Sequence, residues 1–455
     1  MKKLCLITLL MCFIATCTAC GKKDAQTTSV PEKVEDDTFE EKTEVIQDKE
    51  DSSSESNEDA QEETQNEAKD PVETVEKPQV LSLQETRNAK YEGINDFEKF
   101  LMISKFNYVS FWEGQEEYPQ MERVMSEMAG MITRTQEDEA DNIISFAEEM
   151  FDIDGGNFET QISTSDVQIR RADSVAVSYL TDSYANYGFI EDFRGMWGSN
   201  YDTQTGEELL LNDVIKDMTE VPALVTKELN SHLWAGEGYE ETVIEDYFRN
   251  TPVDGISWTL DYNGVTFYFG DGDITEPGNG GQTATVSFAE YPELFEEKYR
   301  NVPEAYMVRL PLDASFFTNL DGDSALEELN VTGVYNEEGR FYSQFGIYTD
   351  TDGHYHYEDF YAYGYNPYYV KTADGKHYLY LFCEENDADN RQMILVVFDV
   401  SDGQFVRVGE MNAAPAYIPS DNFILPLNPE YLRLDNFDSM EQDFGIYMVG
   451  EDGMP

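Results

Sequence analysis

Cysteine is nearly missing from this chain beyond its start: Cys5, Cys12, Cys17 and Cys20 fall within the first twenty residues and leave Cys383 alone. One thiol cannot close an intramolecular disulfide, so stability must come from buried apolar area. Basic residues are scarce as well, with 30 Lys and Arg against 92 Asp and Glu and a net charge of −62. Such a surface repels nucleic acid and anionic lipid and attracts cations. Histidine is limited to His232, His354, His356 and His377, and no G-x-S-x-G stretch occurs, so a Ser-His-Asp triad has no support. No apolar run reaches the ~20 residues that a membrane-crossing helix needs. The longest, Leu4 to Ala15, has twelve.

That run follows Lys2 and Lys3 and precedes small residues, which is the order of a secretory signal. The segment Cys17-Thr18-Ala19-Cys20-Gly21 resembles the lipobox of bacterial lipoproteins, in which a small residue precedes a cysteine that is lipidated and becomes the mature N-terminus. Cys17 stands where that pattern usually has Leu. The resemblance implies a signal peptide over 1–19 and a lipid on Cys20. Two acyl chains suffice for stable anchoring, so the chain is expected on the extracellular face of the cell membrane. Residues 20–80 read as an acidic linker, since 21–80 hold 20 of the acids against 7 Lys and the stretch EDSSSESNEDAQEETQNEAKD lacks aromatics and nearly every aliphatic residue. At ~5–6 Å × √n, sixty such residues reach roughly 40–45 Å.

From residue 81 onward, 72 acids face 21 basic residues, a net −51. Phe106 to Trp112 reads as a strand, and Met121, Val124, Met125, Met128 and Ile132 recur at helical spacing as one face. A Met stripe of this kind points to core packing. The period then shifts to two in FETQISTSDVQI and ADSVAVSYLTDSY, and SWTLDY-NG-VTFYF predicts a hairpin in which Asn263-Gly264 supplies the two positive-φ residues of a type I′ turn. Helical and alternating patterns in one unit predict an α+β class.

Between these strands lies SNYDTQTGEELLLNDVI. The order DSVAVSYLTDSY, YDTQTGEELLLNDVI and NGVTFYFGDGDI…ATVSFAEYPELF resembles the extracellular domain of the RsiV family of anti-sigma-V factors, a region also found N-terminal to some peptidoglycan deacetylases. The resemblance implies an antiparallel sheet with packed helices over 81–300 and a domain that binds a ligand outside the cell, lysozyme in the anti-sigma-V factors. Where the family places Gly-Gly-Ala-His after its first strand, this chain has Ala185-Asn186-Tyr187-Gly188-Phe189. Tyr184, Tyr187, Phe189 and Trp197 are the aromatic residues in and beside that position, and aromatic anchors of this type suit ligand binding. The sequence predicts neither a spanning helix for direct control of a sigma factor nor the metal motifs of a linked deacetylase.

Residues 301–455 read as short strands separated by Asp352-Gly353, Asp374-Gly375 and Asp402-Gly403 turns, a mainly β domain arranged as a meander in a sandwich or partial propeller. His354 and His356 fall at a hairpin tip, where solvated histidines are the expectation and zinc the alternative. In NLDGDSALEEL, Asn319, Asp321, Asp323 and Glu327 fall at odd-numbered positions of the stretch, as oxygen ligands do in short calcium loops; the alternative is an acidic turn. No organic cofactor is expected. The functional expectation is a lipid-anchored envelope protein, not an enzyme, that binds a cationic extracellular protein such as lysozyme or a cell-wall component. Alternatives are an envelope polysaccharide hydrolase using unrecognised carboxylates, or a calcium-stabilised structural or adhesive protein.

Overall fold

The structure is a computed structural model that describes residues 79–89, 101–113, 115–154, 158–186, 193–233, 238–336, 341–351, 353–385, 393–415, 417–418, 422–436 and 443–455. The expected signal peptide, Cys20 and nearly all of the linker lie outside the described residues, as do Tyr187 and Phe189.

β1 (Gln79–Ala89) and β2 (Met102–Glu113) pair antiparallel, and the 36-residue helix α1 (Pro119–Asp154) leads to β3 (Gln161–Ala172). Because a long helix joins them, β2 and β3 run parallel, Met102 opposite Gln161 and Phe106 opposite Ser165. The first sheet is therefore mixed, a correction to the antiparallel expectation. β4 (Ala176–Asn186) and β5 (Phe193–Asp202) complete its run on one side. The Met stripe of α1 packs as its spacing predicts, with Met121 and Met125 buried against Val109, Phe111, Val167, Ile169 and Tyr179.

Next come α2 (Leu211–Val214), α3 (Val221–Ser231), α4 (Glu241–Asn250), a small sheet of β6 (Trp258–Leu260), β7 (Gly264–Phe269) and β8 (Gln282–Ser287), and α5 (Glu297–Arg300). Val221, Val225 and Leu229 of α3 and Ile244 of α4 bury against Leu260, Val265, Phe267 and Val286 of that sheet.

The rest is strand: β9 (Tyr306–Arg309), β10 (Phe316–Thr318), β11 (Glu327–Asn336), β12 (Phe341–Thr349), β13 (His354–Ala362), β14 (Gly364–Lys371), β15 (His377–Glu384), β16 (Met393–Asp399), β17 (Val406–Met411), β18 (Ala413–Pro415), β19 (Tyr417–Ile418), β20 (Asn422–Ile424), β21 (Leu432–Asn436) and β22 (Asp443–Tyr447). β10 to β13 form a four-stranded meander, and β9 with β14 to β17 form a five-stranded sheet. The two face each other through Phe316, Leu329, Val331, Phe345 and Ile347 on one side and Tyr369, Leu379, Leu381, Cys383, Val396 and Phe398 on the other. This is sandwich packing. The far face of the five-stranded sheet is covered by Ala413, Leu432 and Leu434 of the β18–β21–β22 sheet. Covered on both faces, β15 reads as the unbroken run HYLYLFC, with Cys383 fully buried as an apolar residue. β19 and β20 return to extend the first sheet beyond β1, Leu81 opposite Ile424.

Two consecutive arginines of β3 tie these parts together. A register shift between Ile169 and Arg171 interrupts the β3–β4 ladder, and both Arg170 and Arg171 are buried. Arg170 pairs with Asp261 at 2.9 Å and donates to the Arg309 carbonyl at 3.1 Å. Arg171 pairs with Asp173 at 2.8 Å and donates to the carbonyls of Tyr299 and Asn301 at 2.7 and 2.8 Å. Burial works against the charge on Arg170, but Asp261 beside it holds its pKa above the ordinary value.

Asn263-Gly264 corrects one expectation. The hairpin of β6 and β7 forms, with Leu260 opposite Val265, yet neither residue has positive φ, and Gly264 sits inside β7. A Cβ there would lie 2.1 Å from the Val286 carbonyl oxygen of β8, so the glycine serves a close strand approach. Asn263 instead accepts from Tyr306 Oη and donates to Thr318 Oγ1, each at 3.0 Å. The positive-φ pair occurs at Asp402-Gly403, with φ of 57° and 68°. Gly264→Ala is expected to cost about 1–3 kcal/mol in urea unfolding through overpacking. Gly264→Asn should cost at least as much, whereas a positive-φ turn glycine would accept Asn; a milder Asn variant would overturn the close-approach account.

Candidate functional site

The calcium-like loop forms the tip between β10 and β11. Leu320 and Leu326 are buried and anchor it, while Asp321 and Asp323 are exposed. Gly322 at φ 84° makes the tight turn. The carboxylate oxygens of Asp321, Asp323 and Glu327 lie within 4.8 Å of one another, the one such convergence of three or more His, Cys, Asp or Glu among the described residues. Asn319 closes the loop: its oxygen accepts from the Gly322 N–H at 2.6 Å and its amide donates to the Asp323 carbonyl. Glu327 accepts from the Leu320 N–H at 2.6 Å. Burial pushes the Glu327 carboxyl up to about 7 despite that bond, and the neighbouring Asp321, Asp350 and Asp323 carboxylates add to the rise. Three converging carboxylates suit a hard divalent cation, which would remove this penalty.

Of the aromatic residues predicted for ligand binding, Tyr184 and Trp197 are among the described residues and do not share a face. Tyr184 pairs with Arg194 and Trp197 with Thr181 across β4 and β5, and strand alternation places them on opposite faces. Trp197 meets Phe193 edge-on at 6.4 Å over Gly195, where a Cβ would come within 2.8 Å of the indole. On the Tyr184 face, Arg194 lies 3.4 Å from Asp182 and also pairs with Asp313. Burial pushes Asp182 up to about 6, Arg194 opposes it, and Asp313 and Asp166 add to it.

The Asp202-Thr-Gln-Thr-Gly206-Glu stretch is structural. Asp202 accepts from the Gln204 and Thr205 N–H groups at 3.0 and 2.9 Å and pairs with Lys298. Burial pushes its carboxyl up, yet the Lys298 and backbone bonds outweigh that and hold it below the usual range. Gly206, at φ 66°, lets the turn approach the Gln120 carbonyl, which a Cβ would meet at 2.9 Å. His354 and His356 share one face of β13, with the His356 ring against Phe405 at 5.1 Å.

One surface escaped the sequence reading: the outward face of β13, with Tyr357 54% and Tyr361 70% exposed. The signal was present as tyrosine at alternate positions in HYHYEDFYA.

No family model matches the chain, and no curated protein matches it. Among solved structures, a DUF3298 family member from Bacteroides fragilis is similar at 14% identity and TM-score 0.37, over 49% of this chain and 95% of its own. A DUF3298 family protein from Pseudomonas aeruginosa is similar at 13% identity and TM-score 0.33, over 49% and 96%. Likenesses this distant carry no functional argument. No helix among the described residues is long and apolar enough to cross a membrane.

The loop can be tested by heat. Millimolar calcium should raise the Tm by mass action on the folded state, and Glu327→Gln should remove that rise. An unchanged Tm in the unsubstituted protein would take calcium out of the account.

Proposed function

We propose that this chain is a lipid-anchored binding protein of the cell envelope, facing outward, that captures a cationic extracellular protein or wall component. The observation that supports it is where the cations go. Arg170 and Arg171 are buried, and Arg309 pairs with Asp166 at 2.9 Å. Lys227, Arg249 and Arg407 pair with neighbouring carboxylates on the surface. The acid surplus therefore faces solvent, and it steers basic partners from a distance. Lysozyme is the candidate ligand that the RsiV-like strand order suggests, and calcium at Asp321, Asp323 and Glu327 would stiffen the β-rich part.

Two experiments bear on this reading. Cys20→Ala should release the protein into the medium or leave an uncleaved precursor; a variant that stays membrane-bound at the normal mature size would refute the lipid anchor. Lysozyme should bind the full chain saturably at 0.1 M salt and about ten-fold or more weakly at 1 M, as the Debye length falls from ~10 to ~3 Å. Absence of binding at low salt would reject lysozyme, and release of soluble fragments from purified wall material would favour a hydrolase instead.

A further inference from the structure

β13 is the last strand in the order of the four-stranded sheet, and its even-numbered residues face inward: Phe360 packs on the sandwich core and Glu358 lies 3.6 Å from Arg407. The odd-numbered Tyr355, Tyr357, Asp359 and Tyr361 therefore share the outward face, spaced about 7 Å apart along the strand. Tyr355 and Tyr357 lie nearly parallel with centroids 5.9 Å apart, and Tyr348 of β12 meets Tyr355 at 5.1 Å. Tyr361 meets Phe341 at 5.1 Å.

Gly346 of β12 sets the pose of these rings. A Cβ at this position would come within 3.0 Å of both the Tyr355 and Tyr357 rings. Without it the two rings lie against the backbone of β12, with Tyr357 exposed and Tyr355 half-buried. Between Tyr357 and Tyr361, Asp359 is exposed and accepts from the Gln344 amide at 2.8 Å, which fixes the carboxylate in the row.

The charge of this face is one-sided: β11, β12 and β13 contribute Glu328 and Asp359 to it and no Lys or Arg, while Glu327 is buried and Glu358 faces inward beside Arg407. Glu328 and Asp350 stand at the Tyr348 end, where Asp350 accepts from the Glu328 N–H at 3.0 Å and is already engaged by the His232 ring at 2.6 Å. Ring faces attract cations through the ring quadrupole, and carboxylates beside them add to the attraction. A neutral ligand would gain nothing from the carboxylates, and an anionic one would be repelled.

We propose that the outward face of β12 and β13 is the docking surface for a Lys- or Arg-bearing extended segment of a basic partner, with its cationic groups over Tyr355, Tyr357 and Tyr361 and beside Asp359. An extended segment repeats its side chains on one face at the same ~7 Å spacing, so successive cations meet successive rings. This rests on the cationic-partner reading and adds to it the place of contact, in the β-rich part of the chain and away from Tyr184 and Trp197.

The probe is a fluorescein-labelled octa-arginine peptide, followed by anisotropy with the full chain at 0.1 M salt, beside lysozyme and a soluble wall-glycan fragment. The pair Tyr357→Ser and Tyr361→Ser should weaken peptide binding about ten-fold or more, since each cation–π contact is worth roughly 0.5–1 kcal/mol exposed and more when desolvated. The pair Tyr357→Phe and Tyr361→Phe keeps the ring faces and should stay within about two-fold. Gly346→Val should weaken binding by lifting the rings, with Tm reported for every variant. Peptide and lysozyme binding that the Ser pair leaves unchanged would overturn this surface while the broader reading stands. Wild type that binds neither cation would overturn both. Glycan bound through the same tyrosines, without peptide, would overturn the cationic occupant.

Discussion

Two adjacent guanidinium groups, Arg170 and Arg171, are buried at one point of β3, and much of the chain is arranged to satisfy them. A buried charge is tolerated when it is paired and hydrogen-bonded, as both are here apart from Arg170 Nε, and removing one partner of such a pair costs about 3–5 kcal/mol. The partners come from distant segments: Asp261 at the β6–β7 hairpin, and the main-chain carbonyls of Tyr299, Asn301 and Arg309. Those carbonyls run from Tyr299 in α5 to Arg309 at the end of β9, so the route of the chain into the sandwich is fixed by the donors it must meet. Asp173 meanwhile accepts from the Val175 and Ala176 N–H groups at 2.8 and 2.9 Å, which sets the β3–β4 turn. Phe316 and Tyr262 lie over the two guanidinium groups at 5.2 and 6.0 Å and complete the enclosure.

This interior use of arginine shapes the exterior. With 21 basic residues from residue 81 onward, each cation drawn into the core or onto a neighbouring carboxylate is one fewer to neutralise the surface. The charges that hold the two halves in register thereby leave an acidic field outside. Stability and surface charge are linked here through one scarce residue type.

Periodicity made the α1 stripe and most strands legible, because burial on one face leaves a period that can be counted. The parallel pairing of β2 and β3 was not: Ala140, Ile143, Ile144, Ala147, Met150 and Phe151 continue the apolar stripe through the second half of the helix, but a stripe marks the helix and not the direction in which the next strand pairs. Asn263-Gly264 misled because a glycine needed for strand approach and one needed for positive φ look the same in a sequence. The calcium-like loop was visible as spacing, and the convergence of Asp321, Asp323 and Glu327 follows from it. Arg170 and Arg171 were invisible as core residues, because a strand bulge has to turn the chain before two consecutive side chains can both be buried.

An exposed aromatic face on the last strand of a sheet is ordinarily an aggregation hazard. Here two features oppose self-association. The β12–β13 register shifts between Tyr342 and Gln344, which increases local twist and makes the sheet a poorer template for flat pairing. Any second copy brings another acidic surface to the contact, and at physiological salt a Debye length of ~8 Å leaves that repulsion effective at the range where faces meet. A basic partner experiences the opposite sign at the same range. The acid surplus thus keeps tyrosines of one copy from those of the next, while leaving them open to a cation.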